Sequence, residues 1–232
     1  MRANFVSAVV LSLVAASFAA DLDEVCGPTD QAAYRPCPTL NLPCIRNYVQ
    51  VRSPCQAFAP GPSDSFIMEP VELSTAQFNL TAMQYSNSVG GMSRGEIVEF
   101  TINPEKDMIV LTIKYTGLVM TNRYEFAYHQ PGKEPREFDG VSDERFNVVN
   151  ITSIVKGINN PQWDSAIHVH SLDSIEYTLD GECFNVEDEV LGPLLEEFTA
   201  NIDVVIQETF LARNEQLQRY YIDNNLCNLK KN

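Results

Sequence analysis

Residues 188–214 read DEVLGPLLEEFTANIDVVIQETFLARN, and the spacing of apolar side chains in this stretch decides the fold that we predict. Apolar residues recur at intervals of three and four positions with polar residues between them, which is typical of an amphipathic helix. We therefore predict a helix from about Asp188 to Asn214 or beyond. Because proline is tolerated only in the first turn of a helix, Pro193 makes Gly192 an alternative start.

The predicted helix needs a large partner surface. A helix of about 25 residues is roughly 40 Å long at 1.5 Å per residue. A single small hairpin cannot cover an apolar stripe of that length, whereas a wide, curved sheet can. The fold therefore depends on what precedes the helix.

The chain before the helix consists of segments rich in β-branched and aromatic residues. Most of them alternate apolar and polar side chains, which is typical of antiparallel strands with one buried face, and turn-forming Pro, Gly and Asn separate them. The segments are FIMEPVEL, QFNLTAM, GEIVEFTI, MIVLTIKYT, RYEFAY, FNVVNITSIV, SAIHVH and SIEYTL. We predict an α+β protein in which a highly curved antiparallel β-sheet is wrapped around a long C-terminal α-helix.

The start of the chain indicates export. Residues 1–20 contain Arg2, an apolar run and then small residues, the layout of a signal peptide, and we expect an extracellular, secreted protein. No later segment stays apolar long enough to cross a bilayer, so no membrane insertion is expected. The formal net charge of −15 disfavours nucleic acid and anionic lipid as partners.

An even number of cysteines in an exported chain favours three disulfides, although sequence alone does not choose the pairing. They are Cys26, Cys37, Cys44, Cys55, Cys183 and Cys227. The first four predict a stapled N-terminal segment, residues 21–65, in which residues 41–52 can form a short helix. We expect Cys183 to pair with Cys227. Residues 66–232 are predicted to form the sheet and helix, in one domain with the stapled segment.

Two sequons predict N-glycosylation at Asn79 and Asn150. In the stretch around Asn79, alternation places Phe78 and Leu80 on the opposite face from the asparagine. The face that carries Asn79 is therefore available to a glycan.

The sequence contains no motif that indicates catalysis. There is no nucleophile elbow, phosphate-binding loop or zinc-protease motif, and we expect neither an enzyme nor a cofactor. His168 and His170 would share one strand face, but no third histidine or reduced cysteine pair completes a metal site, so no metal is expected. The apolar residues Phe198, Ile202 and Val205 are either ordinary core or the wall of a pocket for a hydrophobic ligand.

Several features of the sequence resemble those of a known protein family. They are YRPC at 34–37, the spacing Cys37-x6-Cys44-x10-Cys55, and the strands IVEFTIN and MIVLTIK. Together with the signal peptide and the C-terminal helix, they resemble the insect juvenile hormone-binding and takeout family, and most closely its fibrohexamerin relatives.

The resemblance implies a function and a partner. A protein of the fibrohexamerin type is implied to be a non-enzymatic glycoprotein of the silk gland lumen that associates with the silk fibroin heavy and light chains and keeps them soluble for secretion. The alternative is an extracellular carrier, in haemolymph for example, of a hydrophobic small molecule such as a juvenile-hormone-like terpenoid or a fatty acid. The two functions differ in the packing they require: a carrier needs a gap between the sheet and the helix, whereas an interaction protein does not.

Overall fold

The structure is a computed structural model, and it describes residues 33–53, 64–75, 78–180, 189 and 191–228. The predicted signal peptide lies outside these residues. In chain order the elements are α1 (Leu42–Arg52), β1 (Ser65–Met68), β2 (Val71–Thr75), β3 (Leu80–Gly90), β4 (Glu96–Asn103), β5 (Met108–Tyr128), β6 (Arg136–Lys156), β7 (Ile167–Asp180), α2 (Leu191–Ala200) and α3 (Ile202–Asn225).

The seven strands form one sheet in which every pair is antiparallel. The order is β1-β3-β5-β6-β7, with β2 beside β1 on β3 and β4 beside β3 on β5. The predicted segments fall on strands, but their bounds differ from the observed ones: FIMEPVEL covers parts of both β1 and β2, whereas several other segments are pieces of one longer strand. MIVLTIKYT and RYEFAY are parts of the single 21-residue strand β5, because the pairing with β6 resumes in the same register directly after Gly117.

A row of irregular positions crosses the three longest strands. Gly117, Asn147 and Ser174 lie opposite one another, and the regular pairing is interrupted at this row in both ladders. Gly117 and Ser174 have φ of +67° and +24°, and Arg94 donates a hydrogen bond to the Gly117 carbonyl. The register itself shifts at two other places, between Tyr85 and Ser88 of β3 and between Ile97 and Glu99 of β4, and such bulges bend and twist strands.

Helix α3 lies inside the curved sheet. It contacts both β2 and β7, which are at opposite sides of the sheet. Its buried side chains meet aromatic residues of the long strands: the Phe210 and Phe146 rings are 5.3 Å apart, and the Tyr221 and Tyr115 rings 6.1 Å apart. The predicted α+β fold, a curved antiparallel sheet around a long C-terminal helix, is confirmed.

The C-terminal helix is interrupted once, which the sequence analysis did not predict. Asn201 has φ −117° and ψ 19° and separates α2 from α3. Its side-chain Nδ2 donates to the Glu197 carbonyl at 2.8 Å, so the amide takes the place of a backbone donor at the end of α2. Pro193 falls in the first turn of α2, where it removes no helical hydrogen bond.

The N-terminal helix α1 covers the end of α3. The Asn41 side chain accepts from the Cys44 amide and caps α1, and the Ile45 and Val49 side chains are fully buried in the main core. Arg46 Nε donates to the Asn225 carbonyl at 2.6 Å. This contact joins the first described helix to the last one.

One disulfide is complete within the described residues, between Cys37 and Cys44. Cys227 is also disulfide-bonded, and its partner lies outside the described residues, as do Cys26, Cys55 and Cys183. The expected bond between Cys183 and Cys227 therefore stays a prediction.

Candidate functional site

A small cavity lies between the sheet and the two C-terminal helices. Its volume is about 30 Å³, which is room for about one water molecule. Its walls are mainly apolar, with a polar side formed by Tyr124, Glu144, Tyr177 and Thr209. The apolar lining residues are Leu73, Leu80, Ala82, Phe126, Phe198, Ile202, Val205 and Ile206.

The three residues predicted to be core or pocket wall, Phe198, Ile202 and Val205, all line this cavity. Phe198 and Val205 are buried, and the Phe198 ring meets the Phe78 ring edge-on at 5.6 Å. Phe198 also faces a second void of about 10 Å³ under α2. These side chains therefore fill the space between helix and sheet almost completely.

An ion pair is buried on the polar side of the cavity. Arg213 Nη1 donates to Glu144 Oε2 at 2.6 Å, and each side chain is only 1% exposed. The other carboxylate oxygen accepts from Asn122 Nδ2 at 2.9 Å and from the Tyr124 hydroxyl at 3.0 Å. Arg213 Nη2 donates to the Thr209 hydroxyl at 3.0 Å. The pair thus ties α3 to β5 and β6 in the interior.

Burial and charge set the protonation of this cluster. Burial raises the pKa of Tyr124 well above its ordinary value, and the nearby Glu144 carboxylate raises it further. Burial and Glu144 also raise the pKa of Tyr177. For Arg213, burial lowers the pKa, but Glu144, Tyr124 and Tyr177 together more than offset that effect, and the pKa is raised overall. Both tyrosines therefore stay neutral at physiological pH, and Arg213 stays charged.

Several buried amide groups in the same region have no partner among the described residues. They are Oε1 of Gln84, both polar side-chain atoms of Asn87, and Oδ1 of Asn122. Gln84 Nε2 donates to the Tyr124 hydroxyl at 3.2 Å, so the unsatisfied oxygen of Gln84 lies close to the ion pair. Buried polar groups in proteins are usually hydrogen-bonded, often to internal water.

The sequence pattern alone does not reveal this polar cluster. The signal was present at Arg213, which stands three residues after Phe210 and four before Leu217, on the buried stripe of α3. A charged residue on an apolar stripe needs a buried partner. Only the fold shows that Glu144 is that partner, because 69 residues separate the two in sequence.

The histidines of β7, His168 and His170, lie between the sheet and α3 without forming a metal site. His168 Nδ1 is 3.0 Å from the Ser153 hydroxyl, and His170 Nδ1 is 3.3 Å from Asn214 Nδ2. Burial lowers the pKa of both, and Arg213 lowers that of His170 further. Among the described residues, no group of three or more His, Cys, Asp or Glu side chains could hold a metal ion.

Comparison with known proteins identifies the family. A family model described as Fibroin P25 matches residues 33–230. The chain belongs to the Fibroin P25 family. The match confirms the resemblance predicted from the cysteine spacing and the strand segments.

Two other comparisons accompany this match. The crystal structure of Epiphyas postvittana Takeout 1 is similar at 13% sequence identity and a TM-score of 0.43, over 68% of this chain and 76% of that one. No curated protein sequence matches the chain significantly.

The sequons of this Fibroin P25 family member lie at two different places on the sheet. Asn79 is exposed in a left-handed turn just before β3, with φ of +50°. Asn150 is in β6, half-buried, and its Nδ2 donates to the Ser171 hydroxyl of β7 at 3.2 Å. Glycosylation at either position stays a prediction.

Two larger depressions are open and polar. One, of about 500 Å³, is lined by the carboxylates of Glu72, Glu125, Glu137 and Asp139. The other, of about 330 Å³, includes Arg94, Arg145 and Glu176. Charged, open walls do not suit a lipid, for which a site is enclosed and mostly apolar. None of the helices in the described part of the Fibroin P25 chain is long and apolar enough to cross a membrane.

Proposed function

We propose that this chain is a secreted, non-enzymatic glycoprotein that associates with the silk fibroin heavy and light chains and helps to keep them soluble for secretion. The family to which it belongs is described by the word fibroin, and the match extends over residues 33–230. This description supports a silk-associated function.

The filled interior favours an interaction protein over a carrier of small molecules. Sites for small apolar ligands usually measure about 300–1,000 Å³, whereas the cavity beside Phe198 measures about 30 Å³. A terpenoid or a fatty acid does not fit there without movement of α2 or α3. The chain's contacts with other molecules are therefore expected at its surface.

The surface suits a protein that solubilises another chain. The formal net charge of −15 opposes self-association and keeps a protein soluble at high concentration. The exposed large apolar residues are Tyr34, Val51, Ile67, Val98, Val141, Ile167, Val169, Val204 and Leu211.

Co-purification tests the proposal. The tagged protein is incubated with gland-lumen extract under non-reducing conditions at about 0.5 M salt, where exposed charges are screened beyond a few ångströms. We expect both fibroin chains to be captured, and an acidic secreted protein of similar charge serves as the control. Capture of neither fibroin chain, or equal capture by the control, would reject the function.

A carrier of a hydrophobic small molecule is the second candidate. The observation in its favour is that the cavity combines an apolar wall with the polar side chains of Tyr124, Glu144 and Thr209, since a polar group at one end of an apolar site fixes a ligand's orientation. Native mass spectrometry of the protein purified from its tissue tests this function. One bound lipid per chain would support a carrier, and a ligand-free mass would exclude it.

A further inference from the structure

Strand β7 forms a long edge of the sheet. Among the described residues it pairs only with β6, and it is 14 residues long. The other edge strands are shorter or covered: β1 has four residues and β2 five, and β4 is bridged by Tyr34 on Ile102. An edge strand carries backbone donors and acceptors that can pair with another chain.

The two halves of β7 differ in charge. The second half contains Asp173 and Glu176 and the irregular residue Ser174. The first half, residues 167–172, reads IHVHSL and has no carboxylate, lysine, arginine, proline or glycine. Proteins usually protect such an edge with charges, proline or a bulge, and residues 167–172 have none of these.

Two of the three outward side chains of this first half are apolar and exposed, and the third, Ser171, accepts a hydrogen bond from Asn150 of β6. Ile167 is 59% exposed and Val169 47% exposed, while His168 and His170 alternate with them and point towards α3. An added strand would therefore find apolar contacts on the outer face and backbone groups along the edge. These are the two elements of recognition by strand addition.

We propose that residues 167–172 of β7 bind an extended, uncharged segment of a fibroin chain, which adds to the sheet as a further strand. The proposal rests on the proposed function and names the surface that performs it. The backbone edge selects an extended conformation, and Ile167 and Val169 select apolar side chains. Asp173 and Glu176, where the uncharged stretch ends, disfavour an acidic continuation of the bound segment.

The charge of the chain argues against a second copy as the occupant. Two copies that each carry a formal charge of −15 repel one another. The sequon residue Asn150 adds a steric argument, because it is paired with Ser171 beside the edge. A glycan on Asn150 would obstruct a second folded copy more than a single extended strand.

The test compares two substitutions of the same kind. Val169→Lys places a charge on the proposed edge, and Ile67→Lys places one on β1, where the replaced side chain is 75% exposed. Binding to fibroin purified from gland lumen is measured for each. We expect Val169→Lys to weaken binding by about tenfold or more and Ile67→Lys to leave it within about twofold. Urea midpoints confirm that both variants are folded.

A second measurement uses the unmodified protein. Hydrogen exchange of the fibroin complex is expected to show slower exchange of β7 amides between 167 and 172 than in the free protein. Protection confined to other elements, or equal binding by the two lysine variants, would overturn the edge proposal. A wild-type dimer in sedimentation that Val169→Lys converts to a monomer would also overturn it, because a second copy would then occupy the edge.

The two proposals fail in different ways. If the wild-type protein does not bind fibroin, the proposed function is wrong. If it binds and both lysine variants bind equally well, the function stands, and another surface performs it.

Discussion

The buried ion pair gives the sharpest prediction about stability. The substitution Glu144→Gln keeps the shape of the side chain and removes its charge, so that Arg213 stays buried without a counter-ion. The carboxylate also accepts from Asn122 and Tyr124, and an amide can continue to accept on one side only. Glu144→Gln is therefore expected to destabilise the fold strongly.

The magnitude follows from the burial of both groups. Each side chain is 1% exposed, and removing one partner of a buried ion pair typically costs about 3–5 kcal/mol. Replacing both partners by apolar residues removes the unpaired charge as well. We therefore expect the double variant Glu144→Leu/Arg213→Met to be more stable than Glu144→Gln, and close to the wild type if the new side chains fit.

Urea denaturation under non-reducing conditions measures these free energies of unfolding. The matched control is Asp164→Asn, which removes one of the two carboxylates beside Arg219, in a solvent-exposed pair with an N–O distance of 2.5 Å. Exposed pairs contribute about 0–1 kcal/mol, so the control should be almost unchanged. Equal m-values among the variants would show that the denatured states are comparable.

One result would refute the reasoning. If Glu144→Gln lowers the free energy of unfolding by less than about 1 kcal/mol, the Arg213 guanidinium is not desolvated in the folded protein. A double variant less stable than Glu144→Gln would contradict the expected rescue.

Three further predictions follow from the described contacts. Lowering the pH through about 6.5, the unperturbed histidine pKa, should destabilise the fold. Burial lowers the folded-state pKa of both β7 histidines, so protonation favours the unfolded chain. Urea titrations should show that the free energy of unfolding depends less steeply on pH when both histidines are replaced by glutamine, and an unaltered dependence would contradict this. Phe198→Ala should lower the free energy of unfolding by about 3–5 kcal/mol, measured against the exposed-site control Val204→Ala, and similar losses for both would show that Phe198 is not packed. Peptide mapping without reductant should join Cys227 to Cys183, as predicted from the sequence, whereas a peptide that joins Cys227 to an N-terminal cysteine would contradict that pairing.

Some features were predicted from the sequence because local patterns encode them. The period of three and four around Phe198 and Val205 specified a helix with one buried face, and alternation specified the strands. The break at Asn201 was missed because an asparagine can also occupy a helix interior. Only the structure shows that its side chain bonds the Glu197 carbonyl and ends α2. The length of β5 was missed as well: Gly117 stands between the two predicted segments and glycine is depleted in strands, yet the pairing with β6 resumes directly after it.

The candidate site was predictable only in part. The apolar wall followed from the stripe of the C-terminal helix, and Phe198, Ile202 and Val205 do line the cavity. The ion pair between Arg213 and Glu144 was not predictable, because the two residues belong to elements whose relative positions depend on the whole sheet.

The sequence by itself determined the kinds of element, their order and the family, because periodicity and cysteine spacing are properties of neighbouring residues. The tertiary structure decided how closely the sheet approaches the helix, and hence that only about 30 Å³ remains beside Phe198. It also decided that β7 forms an edge, since an edge exists only once the order of strands is set. Packing distance and strand order depend on contacts between residues far apart in the chain, and for this reason the local pattern does not contain them.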